Sequence, residues 1–111
     1  MSTTPTTAIV AGPDDDGIGD ALEHEGVDVT RLNGVISRPH LEEAGIVAAD
    51  LYVLTDTEQA TTIPIACDLN DGLRTVVYAR DSVPEFVRGQ LDLAIDPQLM
   101  DAEIVADELV A

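Results

Sequence analysis

Apolar residues fall in five short runs along the chain, and each run is followed by a stretch with helical spacing. Residues 7–11 are continuously apolar after Thr7, which predicts a central strand buried on both faces. Residues 17–25 predict a short helix with Ile18, Ala21 and Leu22 on its inner face, ended by Gly26. Residues 27–32 predict a second strand with Val27, Val29 and Arg31 on one face, closed by Asn33-Gly34. Residues 38–44 predict a helix opened by Pro39 in its first turn, with Leu41 and Ala44 inward and Gly45 at its end. Residues 50–54 form the third predicted strand.

The second half repeats the alternation. Residues 58–69 have helical spacing, but Pro64 falls inside the segment. Either a turn precedes it, with Thr61 or Thr62 as a new N-cap, or the helix is kinked there. Residues 74–79 predict the fourth strand. Ser82-Val83-Pro84-Glu85 opens a short helix ending near Gly89, and residues 91–95 predict the fifth strand. Asp96-Pro97 starts a final helix running towards Val110, either unbroken or broken at Asp101 into a turn and a helix, with Leu99, Ile104, Val105 and Leu109 inward. Strand–helix alternation repeated five times predicts a parallel sheet with helices on both faces. The expected fold is a single Rossmann-like α/β domain over residues 7–111, with a five-stranded parallel sheet in the order 3-2-1-4-5.

Composition narrows the functional classes. The chain has 22 acidic residues against five cationic ones, all arginine, for a formal charge of −17. Such a surface repels phosphates, so binding to nucleic acid through a basic patch and to anionic membranes is not expected. Salt at molar strength cuts the Debye length to about 3 Å and screens this self-repulsion. Abundant Asp without Lys resembles proteins of a salt-rich, halophilic cytoplasm. Residues 1–6 are expected as a Thr-rich disordered tail, without the charged start and apolar run of a signal peptide. No apolar run approaches the ~20 residues of a membrane span. A cytoplasmic location follows as the expectation. Cys67 is the single cysteine, which rules out an internal disulfide and a cysteine-based zinc site.

The candidate chemistry lies at the C-terminal ends of the strands. The turn after the first strand is Gly12-Pro13-Asp14-Asp15-Asp16-Gly17-Ile18-Gly19. Gly12, Gly17 and Gly19 either admit the close approach of a ligand or serve only the strand-to-helix turn. Asp14 to Asp16 either hold a cation that bridges to a phosphate or form a solvated acidic loop. Thr55 and Asp56 end the third strand, where open α/β sheets place ligands and where an N-cap also favours these residue types. Arg80 either meets a phosphate or pairs with Asp81 or Glu85. His24 and His40 are expected to face solvent, and Cys67 to be a small core residue. No nucleophile–base pair is visible, so an enzyme is the least expected reading.

Several segments resemble the TrkA-N domain, the regulator of potassium conductance. They are Glu43-Ala44-Gly45-Ile46, the strand from Ala49 to Asp56, Ile65-Ala66, Ala79-Arg80, and the segment from Gly89 to Pro97. The resemblance spans about residues 8–110. It implies a dimeric sensor of NAD or an adenine nucleotide, with ligand contacts from Gly12, Gly17, Gly19, Thr55, Asp56 and Arg80. Two positions depart from that pattern. The glycines are not spaced G-x-G-x-x-G, and Leu32-Asn33 stands where a dinucleotide binder has an acid for the ribose. Gly17-Ile18-Gly19 also resembles the turn of short-chain dehydrogenases, whose Tyr-x3-Lys pair is excluded in a chain without lysine. The whole chain resembles short haloarchaeal proteins that carry the label CTP synthetase. That chemistry needs a nucleotide-binding ligase domain and a glutaminase, and 111 residues hold neither. The functional expectation is a non-catalytic nucleotide-sensing or regulatory module, with a homodimer or protein partner. The alternative is a ligand-free Rossmann-like domain working through protein–protein contacts.

Overall fold

The computed structural model describes residues 6–111, and the tail expected over residues 1–6 lies outside them except for Thr6. Thr6 is already tied to the sheet, because its carbonyl accepts the Asp28 N–H at 2.9 Å.

Among the described residues nine regular elements follow, strand alternating with helix except between the last two strands, which a 3-10 turn joins. They are β1 (Thr7–Ala11), α1 (Ile18–His24), β2 (Asp28–Leu32), α2 (Arg38–Glu43), β3 (Leu51–Leu54), α3 (Thr62–Leu69), β4 (Arg74–Tyr78), β5 (Leu93–Ile95) and α4 (Ala102–Val110). Short 3-10 turns occupy Ile46–Ala48, Thr57–Gln59 and Glu85–Gln90. The five strands form one all-parallel sheet, which bears out the α/β class with its five-stranded parallel sheet.

The strand order is 2-1-3-4-5 rather than the expected 3-2-1-4-5. Residue character explains the difference. β3, Leu51-Tyr52-Val53-Leu54, is buried along its whole length and so belongs inside the sheet. β2 exposes Asp28, Thr30 and Arg31, which suits an edge. The order places the switch point, where crossovers turn to opposite faces, between β1 and β3.

Two apolar cores follow from the period-two alternation of strand side chains. On one face Val10, Val53, Val76 and Tyr78 pack against Ile18 and Leu22 of α1 and Val105 and Leu109 of α4. On the other, Ile9, Tyr52, Leu54 and Val77 pack against Leu41 of α2, Ile63 and Ala66 of α3, and Val87. Cys67 is half-buried and packs against this second core, and its thiol is pushed up by burial and then by Asp92. Polar groups in these layers are paired. The Tyr52 hydroxyl meets Thr62 Oγ1 at 2.8 Å, and Thr62 Oγ1 donates to the Gln59 carbonyl at 2.7 Å.

The Pro64 conflict resolves as a break. The 3-10 turn at Thr57–Gln59 stops, and α3 restarts at Thr62 with Thr61 as its N-cap, so Pro64 sits in the first turn where no N–H is needed. The segment expected as a helix after Ser82 is the 3-10 turn. The last helix begins only at Ala102, with Asp101 as N-cap. Its buried face is therefore Ala102, Val105, Ala106 and Leu109, at i, i+3, i+4 and i+7. Leu99 and Ile104, expected inward, are 85% and 52% exposed. Leu99 lies in the turn before the helix, and Ile104 falls off the inner stripe.

Candidate functional site

The loops after β1, β2, β3 and β4 meet at the C-terminal crest of the sheet. β1 is followed by Gly12, whose N–H donates to the Leu32 carbonyl at 2.9 Å. Gly12 has φ +106, a conformation open to glycine. A Cβ there would come within 2.5 Å of Thr55 Oγ1 and 3.2 Å of the Asp56 nitrogen. Neighbouring chain thus accounts for the bare α-carbon. Thr55 continues β3 beside β1, donating its N–H at 2.9 Å and its hydroxyl at 3.2 Å to the Ala11 carbonyl.

Gly17 precedes α1 with φ +76 and open space around it, so it serves the turn. Gly19 is buried in the first turn of α1. Its N–H donates to the Asp14 carboxylate, at 3.1 and 3.2 Å from the two oxygens. A Cβ on Gly19 would lie 2.7 Å from Asp14 Oδ2 and 2.8 Å from Arg31 Nη2. The bare backbone at this helix start is therefore covered by the chain's own side chains.

Arg31 reaches back from the edge strand to join this cluster. Its guanidinium lies 3.6 Å from Asp14, 2.8 Å from Asp20 and 2.9 Å from Glu23. The hydrogen bond it donates to Glu23 holds its pKa above the ordinary value against the opposing effect of burial, and the charges of Glu23, Asp14 and Asp20 add to the rise. Arg31 was expected only as a strand residue sharing a face with Val27 and Val29. Its three partners come from a loop and a helix, which periodicity along one strand does not reveal.

The three consecutive Asp diverge. Asp14 turns onto Gly19 and Arg31, Asp15 is exposed, and Asp16 accepts from Arg80 Nη2 at 3.2 Å. Among the described residues no group of three or more His, Cys, Asp or Glu is placed to share a cation. Arg80 thus pairs across the crest with Asp16 rather than with Asp81 or Glu85. Asp56 caps the turn at Thr57–Gln59 by accepting the Glu58 N–H at 3.0 Å.

The six expected contacts do not share one hollow. Gly12 and Asp56 line a cleft of about 620 Å³ with Asn33, Gly34, Val35, Ile36 and Gln59. Gly17 borders a second hollow with Asp16, Asp20 and Tyr78. Arg80 borders a third, of about 420 Å³, beneath the β4 end. Among the described residues, the charged groups that line the first cleft are Asp56 and Glu58. The Tyr78 hydroxyl, beside the second hollow, is pushed up by burial, then by Asp16, Asp101 and Asp96. A polyphosphate would meet negative charge in both places.

Gln59 shapes the first cleft, and His40 caps α2. Gln59 donates to the Gly34 carbonyl at 2.8 Å and accepts the Ile36 N–H at 2.7 Å, pinning the loop after β2 to the loop after β3. His40 Nδ1 accepts the Ser37 N–H at 3.2 Å and meets the Ser37 hydroxyl at 3.0 Å, a reciprocal cap on α2. The spacing Ser-x-x-His signals this cap only if His is admitted where Glu or Gln is usual.

No curated protein sequence matches the chain. Solved structures do. A protein of pilus assembly (cpaE) from Burkholderia thailandensis is 18% identical, with 95% of both chains covered and a TM-score of 0.65. A pilus assembly-related protein from Burkholderia pseudomallei is also 18% identical, covering 95% of this chain and 87% of that one, with a TM-score of 0.65. HP1043, an orphan response regulator of H. pylori, is 9% identical over 97% of both chains, with a TM-score of 0.73. At these identities the likeness concerns the fold. The TrkA-N resemblance is overturned, because the similar structures and the family match both lie elsewhere and the sheet runs 2-1-3-4-5. The short motifs behind it mark strand ends and turns that many parallel α/β sheets share. The matching model, over residues 8–109, is that of a family of unknown function (DUF7126), and the chain belongs to this family.

Proposed function

We propose that the chain is a non-catalytic regulatory domain that acts through protein–protein contacts, with no nucleotide at its crest. The carrying observation is the Asp14 carboxylate on the Gly19 N–H. The first free N–H groups of a helix are where a sheet of this kind offers a phosphate its seat. Here an internal carboxylate holds that position and is backed by Arg31. The acidic cleft beside Gly12 adds no cation to receive a phosphate. The response regulator and the pilus assembly proteins that share the fold are, by their names, regulatory and assembly proteins, which agrees with this role.

Thermal unfolding with NAD, NADH, ATP, ADP and CTP, each with and without Mg²⁺, tests the reading. A ligand present at 100 times its Kd stabilises by about 2.7 kcal/mol. The expected result is an unchanged melting temperature with every nucleotide. A reproducible rise with one of them would overturn the ligand-free reading in favour of a nucleotide sensor.

A further inference from the structure

Three peptide bonds of the chain join Asn or Asp to Gly: Asp16-Gly17, Asn33-Gly34 and Asp71-Gly72. At such a bond a chain modifies itself most readily, because Gly carries no side chain to keep its nitrogen from the neighbouring side-chain carbonyl carbon. The fold treats the three differently. The Gly17 N–H is held by the Asp14 carbonyl at 3.1 Å, and the Gly72 N–H by Asn70 Oδ1 at 3.1 Å. Among the described residues the Gly34 N–H meets no acceptor, and the Asn33 side chain makes no hydrogen bond. Asn70, the other asparagine, is fixed, since its Nδ2 donates to the Ile46 and Ala49 carbonyls at 2.9 and 2.8 Å. Asn33 and Gly34 are both exposed, and nothing lies within 4 Å of where a Gly34 Cβ would stand. Gln59 grips the loop only further on, at the Gly34 carbonyl and the Ile36 N–H.

We propose that Asn33-Gly34 deamidates spontaneously in the folded chain, and that the product loosens the loop walling the cleft beside Gly12. The Gly34 nitrogen gives its proton to solvent and bonds to Asn33 Cγ, and Nδ2 leaves as ammonia. Water then opens the five-membered ring at either carbonyl carbon. Amide and water become carboxylate and ammonia, with nothing oxidised or reduced. Opening at Cγ through the backbone nitrogen yields Asp. Opening at the main-chain carbonyl yields isoaspartate, whose backbone is one carbon longer. Both products set a new carboxylate in the lining that Asp56 and Glu58 share, where like charge repels it. Isoaspartate also lengthens the backbone just ahead of the two bonds to Gln59.

The full chain aged in mildly alkaline ¹⁸O water, beside a sample in urea, tests this by peptide mapping and enzymatic detection of isoaspartate. The peptide around Asn33 should take up ¹⁸O and lose its amide in the folded chain at a rate within about tenfold of that in urea. Asp16 and Asp71, which form the same ring with loss of water, should be slowed by folding at least about tenfold. Gly34→Ala should slow the reaction at Asn33 in both samples. Asn33→Gln, which needs a six-membered ring, should yield almost no product, and circular dichroism should show it folded. In the converted fraction the Ile36 amide should exchange faster than in Asn33→Gln. Folding that protects Asn33 as much as it protects Asp16 and Asp71, or isoaspartate arising first at either of those, would overturn the site. Conversion with unchanged Ile36 exchange would overturn the loosening.

Discussion

The carboxylate of Asp14 accepts the backbone N–H of Gly19, five residues on, from inside the turn that leads into α1. This bond does the work of an N-cap for a helix whose formal N-cap residue, Gly17, has no side chain. Asp14→Ala should therefore destabilise the fold by about 1 kcal/mol, the usual worth of a capping side chain. Urea unfolding of the variant measures it. Asp14→Asn should recover part of the loss through its amide oxygen. An unchanged midpoint for Asp14→Ala would show that solvent serves Gly19 equally well.

Gly12 is held by its surroundings more tightly than the other glycines of the loop. Gly12→Ala combines a positive φ with a contact of 2.5 Å to Thr55 Oγ1. Strained backbone and overpacking each cost roughly 1–3 kcal/mol. The variant should lose at least about 2 kcal/mol in denaturant unfolding. Adding Thr55→Ala should return some of it by removing the hydroxyl, while the backbone strain stays. A double variant no more stable than Gly12→Ala would place the whole cost in the backbone.

Tyr52 makes stability fall in alkali. Burial pushes its hydroxyl up to about 12, against the opposing effect of the hydrogen bond with Thr62. In the unfolded chain a tyrosine titrates near 10. Between these values the unfolded chain releases the proton and the folded one keeps it, so rising pH favours unfolding. The contribution is whole below about pH 10 and is lost as pH climbs towards 12. Unfolding free energy measured from pH 9 to 12 should drop by roughly 2–3 kcal/mol through this group. Tyr52→Phe should flatten the slope, and an equal slope in that variant would assign it elsewhere.

A formal charge of −17 on 111 residues opposes compactness at low ionic strength. Raising KCl from about 0.01 to 1 M shortens the Debye length from about 30 to 3 Å. The melting temperature should rise over that range. Arg31→Met should steepen the rise, because it leaves Asp14, Asp20 and Glu23 facing one another without their shared cation. A melting temperature independent of salt would show that the arrangement of charge already offsets its excess.

The strands were legible because a strand buried on both faces leaves an unbroken apolar run, and β1, β3 and β4 do so. Their order was legible too, in a signal that counting elements passes over. Asp28, Thr30 and Arg31 mark β2 as an edge, whereas nothing in Leu51 to Leu54 tolerates one. On the last helix Val105 and Leu109 were legible as inner positions, but Leu99 and Ile104 were not, because the segment was counted as helical from Pro97. Starting it at Asp101 brings Ala102, Val105, Ala106 and Leu109 into line. At the crest, the turn chemistry of Gly12, Gly17 and Asp56 could be read locally. The partners of Arg31 and Arg80 could not, because Asp14 meets Arg31 only once β2 pairs with β1, and Asp16 meets Arg80 only once β3 and β4 extend the sheet.

The Arg31 cluster bears on the order in which the chain assembles. Everything it joins lies between Thr7 and Leu32, as do β1, α1 and β2 themselves. Only short loops close before these contacts form, which favours early and rapid association. β3 then adds to the free side of β1, and the rest of the sheet grows outward from there in chain order. The amino-terminal unit is thus a template that the later strands extend, and its amides should open to exchange together as one cooperative block.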